Sequence, residues 1–385
     1  MRPERLLHRG FDRLEIAYKA ALAPADIDIL EAALAEAKAR FQPVLVELGP
    51  GKVPMHIAEA GLKGGYAFRG DTGPEGELWA FKRGLSRNEW NVRVAVKSLT
   101  LATLGLGGVR NRLAEMHERL GLGSPEESIG RVDYAIDYLM PAEFVLNPGH
   151  FVSHSKTTKR EHACVQQQPA GLPLQQMISH WAGRVVQSIT LGKMPGQQVI
   201  VYNKRHEVLQ HQKPEWFQIW GVDGSDQDLP IWRVEMRAGK KYLKDWNVKT
   251  FSDLEDRVGE VLGHTLAAYR HVVPNELEKN ISRWPNSKLW KQIARDLSDG
   301  LRENFDGSAR GRIVTGRRER IHNQYRQLIF GALPGLLVSA GLSVEQAFSL
   351  KGDFLRKLAR EADGWKGEQF RKKLMNAKKR MRFIR

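Results

Sequence analysis

The stretch Arg131-Val-Asp-Tyr-Ala-Ile-Asp-Tyr138 constrains the fold more than any other part of the chain. In an extended strand, Arg131, Asp133 and Asp137 point to one face while Val132, Tyr134, Ile136 and Tyr138 point to the other. A chain with such a strand must build a sheet with one apolar face to cover and one face bearing two carboxylates. That pair is costly to bury unless a cation compensates it, and hard divalent ions such as Mg2+ or Mn2+ prefer oxygen ligands. A plainer reading leaves Asp133 and Asp137 on a solvated sheet face, paired with Arg131.

A second strand repeats the pattern. In Ile231-Trp-Arg-Val-Glu-Met-Arg237, alternation gives Arg233, Glu235 and Arg237 one face and Trp232, Val234 and Met236 the other. If the two polar faces adjoin, three carboxylates and several arginines converge, a combination able to hold a metal and to clamp a phosphodiester with guanidinium forks. A third segment, Val199-Ile-Val-Tyr-Asn-Lys-Arg-His-Glu207, places Tyr202 at the end of an apolar run, with Lys204 on the same side and Glu207 further on. A phenol with an ordinary pKa of about 10 needs a nearby cation, metal or base before it can attack phosphorus. Lys204 or a bound ion could meet that need, whereas the ordinary role of a tyrosine is a core ring with a satisfied hydroxyl.

The rest of the chain falls into place around these strands. Pro24 to Phe41 reads as an Ala-rich helix, and residues 1–41 as an N-terminal helical arm. Short β-like runs follow at Val44 to Leu48, Pro54 to Ala58, Tyr66 to Phe68, Leu78 to Phe81 and Trp90 to Val96. A helix is expected within Leu99 to Leu122, and further strands at Arg184 to Leu191 and Gln198 to Tyr202. Residues 42–248 are therefore predicted to form one α+β domain with a largely antiparallel sheet. Beyond Phe251 helical patterns take over, at Leu254 to Tyr269, Lys288 to Leu301, Arg318 to Phe330 and Val344 to Ala359, so residues 249–385 read as a helical, basic unit.

The formal net charge of +16 favours a polyanionic partner, with nucleic acid first. A membrane surface would require a basic amphipathic anchor or a lipidation signal, and no such signal is recognisable. One cysteine, Cys164, rules out an internal disulfide framework and a Cys-based zinc site within one chain. The charged start and the lack of a long apolar run predict a cytoplasmic protein. His150 with His154, or His206 with His211, are conceivable metal ligands, although histidines in polar loops are ordinarily surface residues. The glycines at 105–108 lack a phosphate-loop pattern, and no nucleotide-driven motor is encoded.

The four segments Arg131 to Asp137, Gly183 to Gly192, Tyr202 to Glu207 and Trp232 to Arg237, in that order, resemble the replication initiation factor (Rep-trans) family. This family comprises rolling-circle initiators of bacterial plasmids and filamentous phages and related relaxases of mobile elements. The resemblance spans roughly Trp90 to Trp246. It implies an origin-specific nick in DNA that is single-stranded or extruded as a hairpin, with a tyrosine retained on the 5′ phosphate and a free 3′ hydroxyl. By position it makes Tyr202 the nucleophile, helped by Lys204, and Asp133, Asp137, Glu235 and Glu207 ligands of Mg2+ or Mn2+. Arg131, Arg233 and Arg237 become phosphate contacts. Tyr134, Tyr138 and Tyr242 stay open as nucleophiles, although alternation turns the first two away from the carboxylates. A host helicase and polymerase are the implied partners, and a homodimer is allowed.

DNA contacts outside the chemistry are expected from the helical unit. Ala340-Gly341-Leu342-Ser343 resembles the turn of a helix-turn-helix, with Ser343 able to cap the second helix. Arg317 and Arg318, within a cluster from Arg310 to Arg320, and the tail from Lys366 to Arg385 are expected to touch phosphates. The competing reading is a non-catalytic basic DNA-binding regulator or architectural protein, which gains nothing from three carboxylates on its phosphate-facing sheet. RNA binding or processing, read through the 2′ hydroxyl, is a third reading.

Overall fold

The 126–139 segment is the second of three long neighbouring strands at the centre of an 11-stranded antiparallel sheet. The computed structural model describes residues 4–153, 177–182, 185–224, 226, 230–301, 322, 325–326, 329–364 and 367–380. They divide into two units, Met1–Arg310 and Gly311–Arg385. The strands of the first unit are β1 (Arg5–Lys19), β2 (Val44–Leu48), β3 (Val53–Ile57), β4 (Phe68–Asp71), β5 (Glu77–Phe81), β6 (Val92–Val96), β7 (Glu126–Leu139), β8 (Phe151–Ser153), β9 (Met177–Ala182), β10 (Val185–Gly192), β11 (Gln197–Asn203), β12 (Ile231–Gly239) and β13 (Tyr269–His271). The large sheet runs β2-β3-β4-β5-β6-β1-β7-β12-β11-β10-β9, while β8 and β13 pair separately. The helices are α1 (Pro24–Arg40), α2 (Ser98–Arg119), α3 (Lys204–Gln210), α4 (Glu215–Trp220), α5 (Lys240–Asp245), α6 (Phe251–Ala268) and α7 (Lys288–Gly300).

The expected α+β class and antiparallel sheet are what the structure shows. The N-terminal segment differs from the expectation of a helical arm. Helix α1 forms where predicted, but Arg5–Lys19 is a strand of the sheet centre, paired with β6 on one side and β7 on the other. Leu14, Ile16 and Tyr18 are buried, as a period of two requires. Register shifts near His8, Asp12 and Ile16 break that period elsewhere in the strand and hide it from pattern reading. The expected boundary at 248/249 also moves, because α6 and α7 belong to the first unit and supply Val258, Val261, Leu262, Ile293 and Leu297 to its core.

One sheet face is apolar and covered. Val94 of β6, Ile16 of β1, Ile136 of β7 and Val234 of β12 join Leu30 of α1, Leu113 of α2, Leu262 of α6 and Ile293 of α7 in a single cluster. Each such fully buried aliphatic side chain stabilises the fold by roughly 1.5–3 kcal/mol. The other face is left to charged and small residues. Along β3, β4 and β6 buried and half-buried positions alternate strictly, so that Arg69, Asp71, Arg93 and Ala95 lie on the less covered side.

In the second unit a helix through 329–339, α8, meets α9 (Val344–Asp363) at a turn in which Gly341 adopts φ +79°, a conformation that glycine takes without strain. Ser343 caps α9 as expected. Its hydroxyl accepts from Gln346 N at 3.3 Å, and Gln346 Oε1 accepts from Ser343 N at 2.9 Å, completing a capping box. Helix α10 (Gly367–Arg380) follows. Arg317 and Arg318, together with Arg310, Arg312, Arg320, His154, Cys164 and the last five residues, lie outside the described residues.

Candidate functional site on the polar face of the sheet

The two carboxylate-bearing strands are neighbours, so the polar faces inferred from alternation merge. β7 and β12 pair with Asp137 opposite Arg233 and Asp133 opposite Arg237. β11 adds Tyr202 opposite Arg233, and β1 adds His8 opposite Asp137 and Arg13 opposite Asp133. Opposed residues of an antiparallel ladder share a face, so Tyr202, Arg233, Asp137 and His8 form one cross-strand row. Gln198, Arg237, Asp133 and Arg13 form another.

The first row ends in a closed ion cluster. Arg233 donates through Nε to Asp137 Oδ1 at 2.6 Å and through Nη2 to Oδ2 at 2.8 Å, a bidentate fork, and through Nη1 to Asp12 Oδ1 at 2.5 Å. Trp220 Nε1 donates to Asp137 Oδ2 at 2.8 Å, and the Trp216 ring lies 4.5 Å from the guanidinium carbon of Arg233. Arg233 and Asp137 are both 0% exposed. These partners explain why the charges tolerate burial, since an unpaired charge there would cost several kcal/mol. His8 packs edge-on against Trp216, and burial holds its imidazole down at about 4, so it is neutral. Two expectations change here. Arg233 was predicted as a phosphate contact and Asp137 as a metal ligand; in the structure each serves as the other's counter-ion.

Tyr202 borders that cluster and is half-buried. Lys204, at the start of α3, donates to its hydroxyl at 3.5 Å and to Glu207 Oε2 at 2.6 Å, and its ammonium also lies 5.0 Å from the Trp216 ring centre. Lys213 holds the other Glu207 oxygen at 2.7 Å. Burial raises the Tyr202 phenol well above its ordinary pKa. Burial, helped by Arg233, lowers the Lys204 ammonium. Burial would raise Glu207, but Lys204 and Lys213 outweigh it and hold the carboxyl low. The arrangement is a protonated phenol beside a lysine that releases its own proton more easily than usual.

In the second row Arg131 grips Asp133 with Nε at 2.8 Å and Nη2 at 2.5 Å. Arg237 Nε donates to Glu235 at 2.7 Å and lies 3.7 Å from Asp133. Burial pushes Asp133 up to about 8 against the pull of Arg131, and the Glu235 carboxylate adds to the rise. Two guanidiniums face these two carboxylates, so burial is the larger cause of the rise. The four expected metal ligands separate, with Asp133 and Glu235 together, Asp137 in the Arg233 fork and Glu207 between two lysines. Among the described residues no three His, Cys, Asp or Glu side chains are grouped as a metal would require. The donor set does not come together as a four-ligand centre, and the Asp133 and Glu235 carboxylates are engaged by Arg131 and Arg237.

Of the other tyrosines, Tyr134 and Tyr138 point into the covered face, as alternation predicted, with 0% and 1% exposure. The Tyr138 hydroxyl donates to Asp296 of α7. Tyr242 lies on α5 against Trp246, with ring centres 6.2 Å apart. His150 belongs to a cluster with His271, not to the polar face. Sequence reasoning missed His8 and Asp12, whose strand was unrecognised, and Trp216 and Trp220. The i, i+4 spacing of the two tryptophans after Pro214 was the available signal, since it places both rings on one side of a short helix.

No protein-family model matches the chain, and no curated protein matches it in sequence. Among solved structures it is similar to a rolling circle replication initiator protein from Geobacillus stearothermophilus. The two are 13% identical, with a TM-score of 0.41, over 77% of this chain and 97% of the other. At that level of similarity the function has to come from the residues themselves. No helix among the described residues is long and apolar enough to cross a membrane.

Proposed function

We propose that this chain is a DNA strand-nicking and strand-transfer enzyme of the rolling-circle initiator or relaxase type, with Tyr202 as its nucleophile. The observation that supports this best is the placement of Tyr202. A half-buried phenol with Lys204 at its hydroxyl lies one strand from Glu235 and Arg237, on the same sheet face. In the proposed step the Tyr202 oxygen forms a bond to phosphorus and the bond to the 3′ oxygen breaks. The phenolic proton passes to Lys204 in its neutral form, which its lowered pKa favours, and the ammonium so formed gives a proton to the 3′ oxygen as it leaves. Arg237 and Arg131, held by buried carboxylates, are the groups placed to neutralise the phosphate. A divalent ion at Asp133 and Glu235 would supply further charge stabilisation; Tyr202 and Lys204 meet without it.

The complete pairing of Arg233 with Asp137 and Asp12 favours a second reading, a DNA-binding protein whose buried charges are structural. Origin-type oligonucleotides incubated with the full chain, with Mn2+, Mg2+ or EDTA, separate the two. The nicking reading predicts a cut strand and a protease-sensitive protein–DNA adduct that is lost in Tyr202→Phe. Binding without cleavage on a verified origin would establish the second reading. An adduct surviving Tyr202→Phe would move the nucleophile, with Tyr242 the next candidate.

A further inference from the structure

We propose that the open face of the sheet is a track for single-stranded DNA, carried by Arg237, Arg131, Arg13 and Arg93 and ending at the aromatic rings of Tyr66 and Trp90. The proposal deepens the nicking reading by placing the substrate strand; it shares Arg237 and Arg131 with that reading and adds Arg13, Arg93, Tyr66 and Trp90.

The first support is how the charges are layered. Arg13 donates through Nε to Glu15 at 2.6 Å, Arg93 binds the other Glu15 oxygen, and Arg131 and Arg237 hold Asp133 and Glu235 as described. The acids are the buried members: the side chains of Glu15, Asp133 and Glu235 are 9%, 1% and 2% exposed. The arginines are the outer members, at 46% for Arg13, 39% for Arg93, 19% for Arg131 and 25% for Arg237. Carboxylates beneath the surface thus fix guanidinium forks that face outward. Arg13, Arg93 and Arg237 each spend one nitrogen on these carboxylates out of a five-donor fork. Strand spacing puts the row from β12 to β6 across roughly 14–15 Å of sheet.

The second support is the pair of aromatic side chains beyond the row. Trp90 is half-buried, with Lys19 at 5.3 Å and Lys240 at 6.0 Å from its ring centre. Lys240 in turn donates to Ser128 at 2.6 Å. Tyr66 has Lys82 at 5.2 Å from its ring centre, and burial raises its phenol against the pull of Arg93. Rings beside fixed cations suit a strand whose bases are unstacked, because stacking needs a free base face while the arginines take the phosphates. A duplex keeps those base faces inside, so it would use only the arginines.

The test is fluorescence anisotropy of labelled oligo(dT) of increasing length, with the full chain, across a salt series. The expected result is affinity that rises with length and then levels off. Trp90→Ala should weaken binding roughly tenfold. Arg13→Gln/Arg93→Gln should make the slope of log affinity against log salt shallower by about 1.4, the change expected for two lost phosphate contacts on a single strand. Lys240→Gln, at an exposed position, is the variant to use if the arginine double fails to fold, and it should lower the slope by about 0.7. The series is run in EDTA and reads binding alone, which keeps a failure of the chemistry distinct from a failure of the track. Unchanged affinity and slope in the folded Trp90 and arginine or Lys240 variants would overturn the proposal. Tighter binding of a duplex of equal length, with Trp90→Ala silent, would overturn it in favour of a duplex surface.

Discussion

Asp133 and Asp137 lie four residues apart on one strand and one sheet face, and their surroundings differ because of what lies above them. Over Asp137, α4 lays Trp216 and Trp220, so the Arg233 fork is sealed with every charge paired. Around Asp133, Arg131 and Arg237 keep partial exposure and a second carboxylate crowds the first. The sealed end has the features of a support and the open end those of a binding surface. One short helix makes the difference, by deciding where water and a ligand can reach.

That comparison can be broken most directly at Arg233. Arg233→Met strands Asp137 and Asp12 under the tryptophans and should cost about 3–5 kcal/mol in chemical denaturation. Arg233→Met/Asp137→Leu should recover a good part of that loss; no recovery would mean that the pair is more than mutual compensation. Acid gives the next effect. His8 at the sealed end and His117 beneath Trp79 both have imidazoles lowered by burial to about 4, below their unfolded value. The unfolded chain binds those protons first, so their contribution is whole above about pH 6.5 and is lost as the pH falls towards 4. Each is worth up to about 3 kcal/mol, read as a steeper fall of stability with acid in the wild type than in His117→Phe.

Smaller changes sharpen the contrast. Trp220→Phe removes one buried donor to Asp137 and should cost about 1–3 kcal/mol. Arg13→Gln, at the open end, should change stability by less than about 1 kcal/mol in the same denaturation series, because Arg13 itself is largely in solvent and Arg93 still holds the buried Glu15. A loss at Arg13 as large as that at Trp220 would erase the distinction between the two ends.

Much of this face was legible in the sequence. Alternation assigned Asp133, Asp137, Arg233, Glu235 and Arg237 to faces and turned Tyr134 and Tyr138 inward, because a strand's period of two leaves no other choice. Ser343 as a cap was legible for the same local reason: one side chain reaches one backbone N–H three residues on. β1 was not legible, because its bulges interrupt the period at the residues that matter, Asp12 among them. Nor could six residues from 215 to 220 announce that they would close over a strand some eighty positions earlier.

The antiparallel sheet, its two unlike faces and the face on which Asp133, Asp137, Arg233, Glu235 and Arg237 lie follow from the sequence, since each depends only on side-chain direction and local propensity. Tertiary structure alone decided which carboxylate each arginine would hold, that Asp137 would be sealed while Arg13 and Arg93 stay partly exposed, and that Lys204 would meet Tyr202. Those outcomes depend on strand order and on the seat of α4, and burial, which follows from both, sets what every charge in the site can do.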